Sequence, residues 1–128
     1  MDHPEIVTKA ELETLADEQT SGLQRGQAFG HDGVWAGFSA FPGGATTGWH
    51  HHGDYATYAY VTDGSMTIEY GPEGADVAHV AAGDFAYIPA HLVHRESVPA
   101  EGGSGVVVRV GGVGPTVFNV DSPYPFRA

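Results

Sequence analysis

The chain contains no cysteine. Disulfides, thiolate metal ligands and cysteine nucleophiles are therefore excluded. Basic residues are scarce as well. Lys9, Arg25, Arg95, Arg109 and Arg127 stand against 16 acidic residues, and the formal net charge is −11 with neutral histidines. Positive charge this sparse forms no stripe that would neutralise phosphates, which argues against nucleic-acid binding. An anionic membrane surface would repel the chain for the same reason. No stretch approaches the roughly 20 consecutive apolar residues of a membrane-spanning helix. The opening MDHPEIVTKAELE has neither a basic n-region nor an apolar h-region. It does not read as a secretory signal, and a cytoplasmic protein is expected.

What is present points to one compact domain. The length is 128 residues, 41% of them hydrophobic and 16% charged. That is enough apolar material for a core and too little charge for a disordered polyelectrolyte. Nineteen glycines and eight prolines favour many turns between short strands over long helices. A short helix is expected near residues 9–17, because Thr8 and Glu11 have capping-box spacing and Leu12 and Leu15 lie three apart. After Thr20 the pattern becomes short segments rich in β-branched and aromatic residues: LQRGQAF, VWAGFSAF, TYAYV, MTIEY, VAHV, FAYI, VHRESV, VVVRV and TVFNV. Turn residues separate them, and Asp63-Gly64 between TYAYV and MTIEY reads as a two-residue hairpin. The expectation is an all-β sandwich or barrel. Residues 1–27 carry the helix and a leading segment, residues 28–128 form the barrel, and the whole is a single domain. The tail DSPYPFRA reads as an extended arm or edge.

Histidines supply the chemistry. His50 and His52 alternate on an expected strand, so both point to one face, about 6.5–7 Å apart along the chain. On a concave face two such imidazoles can converge on one metal ion. His51 then points away. A second group, His91 and His94, follows the strand and proline break of GDFAYIPAHLVH. Surface or hydrogen-bonded histidines are the alternative reading of both groups.

The arrangement resembles the two motifs of the cupins. Gly44, five residues, His50-His51-His52 and a closing Gly64 match the first. Gly83, five residues, Pro89-Ala90-His91, two residues and His94 match the second. The resemblance spans about residues 28–121. It implies a double-stranded β-helix (jelly-roll) barrel, a homodimer, and a divalent metal at the barrel mouth held by His50, His52 and His94. Three departures stand out. Ala56 and Thr57 occupy the place of the family's glutamate ligand, His91 replaces the glycine of the second motif, and Val98 replaces its closing asparagine.

Without the glutamate the ligand face is three neutral nitrogens, and the ion keeps its full charge and more open positions. That suits an anionic or bidentate oxygen ligand and dioxygen at Fe2+. The resemblance then implies an Fe(II)-dependent dioxygenase acting on a diketone or hydroxy-aromatic substrate. A Zn2+-, Ni2+- or Mn2+-dependent non-oxidative cyclase, isomerase or lyase is the second reading, and a non-enzymatic ligand-binding barrel the third. Asp54 is a candidate fourth ligand, since unbroken strand register puts it on the histidines' face. Tyr58 and Tyr60 continue that parity and are candidate acid–base groups, with packing as the alternative. Glu96, two residues beyond His94, is expected to face the interior as a general base, with an ion pair to Arg109 as its alternative role. His91 is placed at the rim. Trp35, Phe38, Phe41, Trp49, Tyr87 and Phe118 are expected to form core and pocket walls, favouring a flat apolar substrate.

Overall fold

A computed structural model describes residues 3–14, 16–17 and 22–123. Its elements in chain order are α1 (Lys9–Thr14), β1 (Ala16–Asp17), β2 (Gln24–His31), β3 (Val34–Phe41), β4 (His50–His51), β5 (Ala56–Tyr70), β6 (Asp76–Ala81), β7 (Phe85–Ile88), β8 (His94–Ser97), β9 (Gly103–Val110) and β10 (Phe118–Asn119). The strands form a curled sheet in the order β1-β2-β3-β9-β5-β8-β4-β10, with β6 and β7 also pairing β5. Every pairing is antiparallel. This is the expected double-stranded β-helix barrel with a short N-terminal helix.

Strand β5 is the spine of the barrel. Its first half pairs with β9 and β7, and its second half pairs with β6 and β8. The expected hairpin at Asp63-Gly64 is not formed. The strand runs straight through both residues, with a bulge between Val61 and Asp63 against β9. The glycine is still needed there: Gly64 has φ +73, and a Cβ would meet the Gly102 carbonyl oxygen. A left-handed residue serves a bulge as well as a turn, and local sequence does not separate the two.

The helix is capped as expected. Thr8 N and Oγ1 both donate to Glu11 Oε1, and Glu11 N donates to Thr8 Oγ1. It is shorter than expected, ending at Thr14, and Ala16–Asp17 pairs with Arg25 and Gly26 on β2. Strand pairing with the barrel takes over where the helix was expected to continue. Leu15, and the tail beyond residue 123, lie outside the described residues. Because β2 begins at Gln24, the expected boundary at residues 27 and 28 falls within a strand.

Alternation fills the barrel. On β3, Trp35, Gly37, Ser39 and Phe41 point inward. An apolar cluster of Leu23, Phe41, Val61, Met66, Ile68, Val80, Ile88 and Val98 occupies part of the interior. Among the described residues no helix is long and apolar enough to cross a membrane.

Candidate metal centre

His50 lies on β4, His52 just beyond it, and His94 begins β8, directly opposite His50 in the ladder. The three rings are buried, at 0%, 2% and 0% exposure. Ring centroids are 4.4 Å apart for His50 and His94, 5.2 Å for His50 and His52, and 5.1 Å for His52 and His94. One ring nitrogen from each falls within 4.8 Å of the others. Three buried imidazoles at this spacing have little reason to gather except around a cation.

Backbone carbonyls set the orientation of every ring. His50 Nδ1 donates to Gly48 O at 2.9 Å, His52 Nδ1 to Thr116 O at 2.8 Å, and His94 Nδ1 to Leu92 O at 2.9 Å. A carbonyl only accepts, so the proton sits on Nδ1 and the Nε2 lone pair is left over. Carbonyl support of this kind is how proteins hold metal-binding histidines. Nε2 of His50 and of His94 has no hydrogen-bond partner. Burial drives the His94 pKa down to about 4 and that of His52 well below the ordinary value, with the Arg109 charge adding to the effect at His52. Both rings are thus kept neutral and ready to ligate.

Glu96 faces inward beside them. Its Oε1 is 3.3 Å from His50 Nε2 and its Oε2 is 3.7 Å from His94 Nε2. Burial pushes its pKa up. Its contacts with His50 and His94, together with the charge of Arg25, outweigh burial and hold the carboxyl well below the usual range. Its backbone is fixed by Glu96 N donating to Thr47 Oγ1 at 2.9 Å and Thr47 N donating to Glu96 O at 2.8 Å. The closest contacts of the carboxylate are therefore the histidines, while Arg25 and Arg109 interact with it through charge.

Other expected site residues lie elsewhere. Asp54 sits in the turn after His52, where strand parity is broken, and its exposed carboxylate pairs with His91 at 2.8 Å. It does not reach the three histidines. Tyr58 and Tyr60 are 51% and 37% exposed and pack outward against Tyr87 and Phe85. The same turn reverses their parity, so Thr57, Ala59 and Val61 point inward instead. His91 is on the exposed rim with φ +66, the third residue of a turn closed by Leu92 N donating to Pro89 O. That left-handed position explains the glycine expected there. His51 stacks on Phe118 at 5.1 Å, away from the centre. Of the expected pocket aromatics only Trp35 and Phe41 are buried, while Tyr87 and Phe118 are 56% and 41% exposed.

An internal cavity of about 40 Å³ adjoins the centre, bounded by His52, Glu96, Thr57, Arg25 and Arg109 on its polar side. At roughly 10–15 Å³ per water-sized group, it has room for about three. Arg25 is a residue the sequence pattern did not single out, and Arg109, expected as an ion-pair partner of Glu96, lines the cavity as well, on the same strand face as the buried Val107.

Comparison with known proteins agrees with this architecture. A protein-family model described as the cupin domain matches residues 37–111. No curated protein matches the sequence. Among solved structures, the chain is similar to an RmlC-like cupin from Shewanella frigidimarina, with TM-score 0.68 and 21% identity over 86% of this chain and 93% of that one. It is similar to KdgF from Halomonas sp., with TM-score 0.63 and 20% identity over 77% and 86% of the two chains. Oxalate decarboxylase from Bacillus subtilis has TM-score 0.66 and 21% identity over 77% of this chain, which spans only 28% of that protein. With motifs, barrel and family model in agreement, the chain belongs to the cupin family.

Proposed function

We propose that the protein is a small-molecule metalloenzyme holding one divalent transition metal through Nε2 of His50, His52 and His94. The observation that carries this reading is the set of three buried rings whose Nδ1 protons are spent on carbonyls while their Nε2 atoms converge. Iron(II) is the first choice, and oxidative cleavage of a diketone or hydroxy-aromatic acid is the leading reaction. Three neutral ligands leave several positions on the ion for a bidentate oxygen substrate and a second reactant. The metal would supply Lewis acidity and, if iron, redox chemistry. Glu96 would accept or return a proton beside the reacting atoms, and burial of the site would exclude bulk water. The small cavity favours a substrate of a few carbons over a fused aromatic.

A non-oxidative lyase, isomerase or cyclase using zinc, nickel or manganese is the second reading. The ionised Glu96, 3.3 Å from a ligand nitrogen, favours it, because a proton acceptor and a Lewis acid are all such a reaction requires. The two readings separate by experiment. Elemental analysis of untagged protein identifies the metal, and oxygen consumption by the iron-loaded protein with small diketones and oxo acids reports oxidation. Zinc as the native metal, with no oxygen uptake, overturns the dioxygenase reading.

The outer face carrying Tyr58, Tyr60, Phe85, Tyr87 and Val106 supports a homodimer. These residues are 37–79% exposed and adjacent across β5, β7 and β9. Apolar patches of this kind mark contact surfaces. Sedimentation of wild type beside Phe85→Lys checks it. A dimer that dissociates in the variant is expected, and an unchanged state rejects this face.

A further inference from the structure

The family's motif places a glutamate at position 56 or 57, here Ala56 and Thr57, and of the two Thr57 lines the cavity. Thr57 stands directly opposite Arg109 in the β5–β9 ladder. Arg109 in turn stands opposite Trp35 in the β3–β9 ladder, and its guanidinium lies over that indole at 5.1 Å. Thr57 and Arg109 are buried, at 3% and 1% exposure. Both line the internal cavity that also touches His52. Thr57 Oγ1 and the Nε and Nη1 of Arg109 have no hydrogen-bond partner. A buried donor left without a partner costs about 1–3 kcal/mol, and more when charged. A glutamate at position 57 would have supplied the carboxylate. Arg25, Arg109 and Glu96 are the charged residues on the cavity wall.

We propose that Arg109 and Thr57 form a receptor for the carboxylate of a small substrate, which fills the space a protein glutamate would otherwise take. Guanidinium donors recognise carboxylates by charge-assisted hydrogen bonds, and the stacked indole holds the guanidinium in place. A carboxylate there lies beside His52, so the rest of the molecule extends toward the metal centre. The cavity sets the size: formate or acetate enters without displacing the apolar wall, and the second carboxylate of oxalate would have to reach the metal centre. As a statement about substrate this rests on the metal centre proposed above. As a statement about binding it does not.

The test uses metal-free protein with Trp49→Phe, which leaves Trp35 as the one indole. Titration with formate, acetate and oxalate, read by Trp35 fluorescence and by calorimetry, is expected to show saturable binding at one site per chain. Thr57→Glu supplies an internal carboxylate, and binding should weaken at least about 30-fold. Arg109→Lys keeps the charge but loses the fork of donors, and should weaken binding about tenfold. If Thr57→Glu does not fold, Thr57→Val provides the second arm, with a several-fold loss. Absence of saturable binding in the Trp49→Phe parent overturns the proposal. So does binding that both Arg109→Lys and the Thr57 variants leave intact, or an equal response to chloride at the same concentration. Metal uptake by the same preparations, re-loaded with Fe2+, Zn2+, Ni2+ or Mn2+ and desalted, tests the metal reading separately. Carboxylate binding without metal uptake would overturn that reading and leave this one standing.

Discussion

The two ends of the barrel interior are built from the same strands but do different work. Strand β5 contributes Thr57 and, opposite Glu96, Ile68 to one end, and Val61 and Met66 to the other. Strand β8 offers His94 and Glu96, and Val98 follows just beyond it in the apolar cluster. Similarly, Arg109 and Val107 share one face of β9. One end buries three imidazoles, a carboxylate and two guanidinium groups, and the other buries only apolar side chains. Burying ionised groups is costly, and their mutual attraction rarely stabilises a fold beyond what an apolar replacement would give. The difference teaches that cohesion comes from the apolar end, which lets the polar end be arranged for ligands.

Changes at the polar end should break binding first. His50→Ala is expected to lower metal affinity by about 100-fold or more, since one of three ligands is removed and the other two cannot close the site. Competition with a chelating dye measures it. The apolar end should respond in the opposite sense. Met66→Ala is expected to cost about 2–5 kcal/mol in denaturant unfolding while metal stoichiometry stays unchanged. Loss of metal from folded Met66→Ala protein would show that the two ends are not separable.

Acid should act chiefly on the polar end. In metal-free protein the folded-state pKa of His94 is about 4, below the ordinary imidazole value of 6.5. The unfolded chain therefore binds more protons between these values, and stability falls as pH drops from about 6.5 to about 4, by on the order of 3 kcal/mol. His52 works in the same direction. Glu96, also held below its ordinary value, adds a further loss below about pH 4.5. Thermal unfolding across this range should show the decline, and His94→Gln should flatten it. The smallest effect belongs to the outer face. Tyr58→Phe is expected to change stability by no more than about 0.5 kcal/mol and to leave metal affinity unchanged. A large loss of affinity would return Tyr58 to the site.

Much of this division was legible in the sequence. An all-β sandwich or barrel followed from short alternating segments, and the resemblance to the cupin motifs selected the barrel and the candidate ligands His50, His52 and His94. The parity of Glu96 held because β8 is regular. Asp54, Tyr58 and Tyr60 were misplaced for a single reason. The turn at Gly53, with φ +58, shifts the chain by one face, and a one-residue slip inverts every side chain beyond it. The unbroken β5 was hidden because a left-handed glycine marks a bulge and a hairpin alike. Arg25 was missed, and Arg109 was named only as a partner for Glu96, because burial of a guanidinium depends on what lies across the ladder, which a linear pattern does not contain.

The central claim is that three histidines from two separate segments hold one metal ion. The most direct test is metal content of untagged wild-type protein beside a variant with His50, His52 and His94 all replaced by alanine. One transition-metal ion per chain in the wild type and none in the folded variant is the expected result. Metal at full stoichiometry in the variant, or a wild type that takes up no metal, would contradict the account.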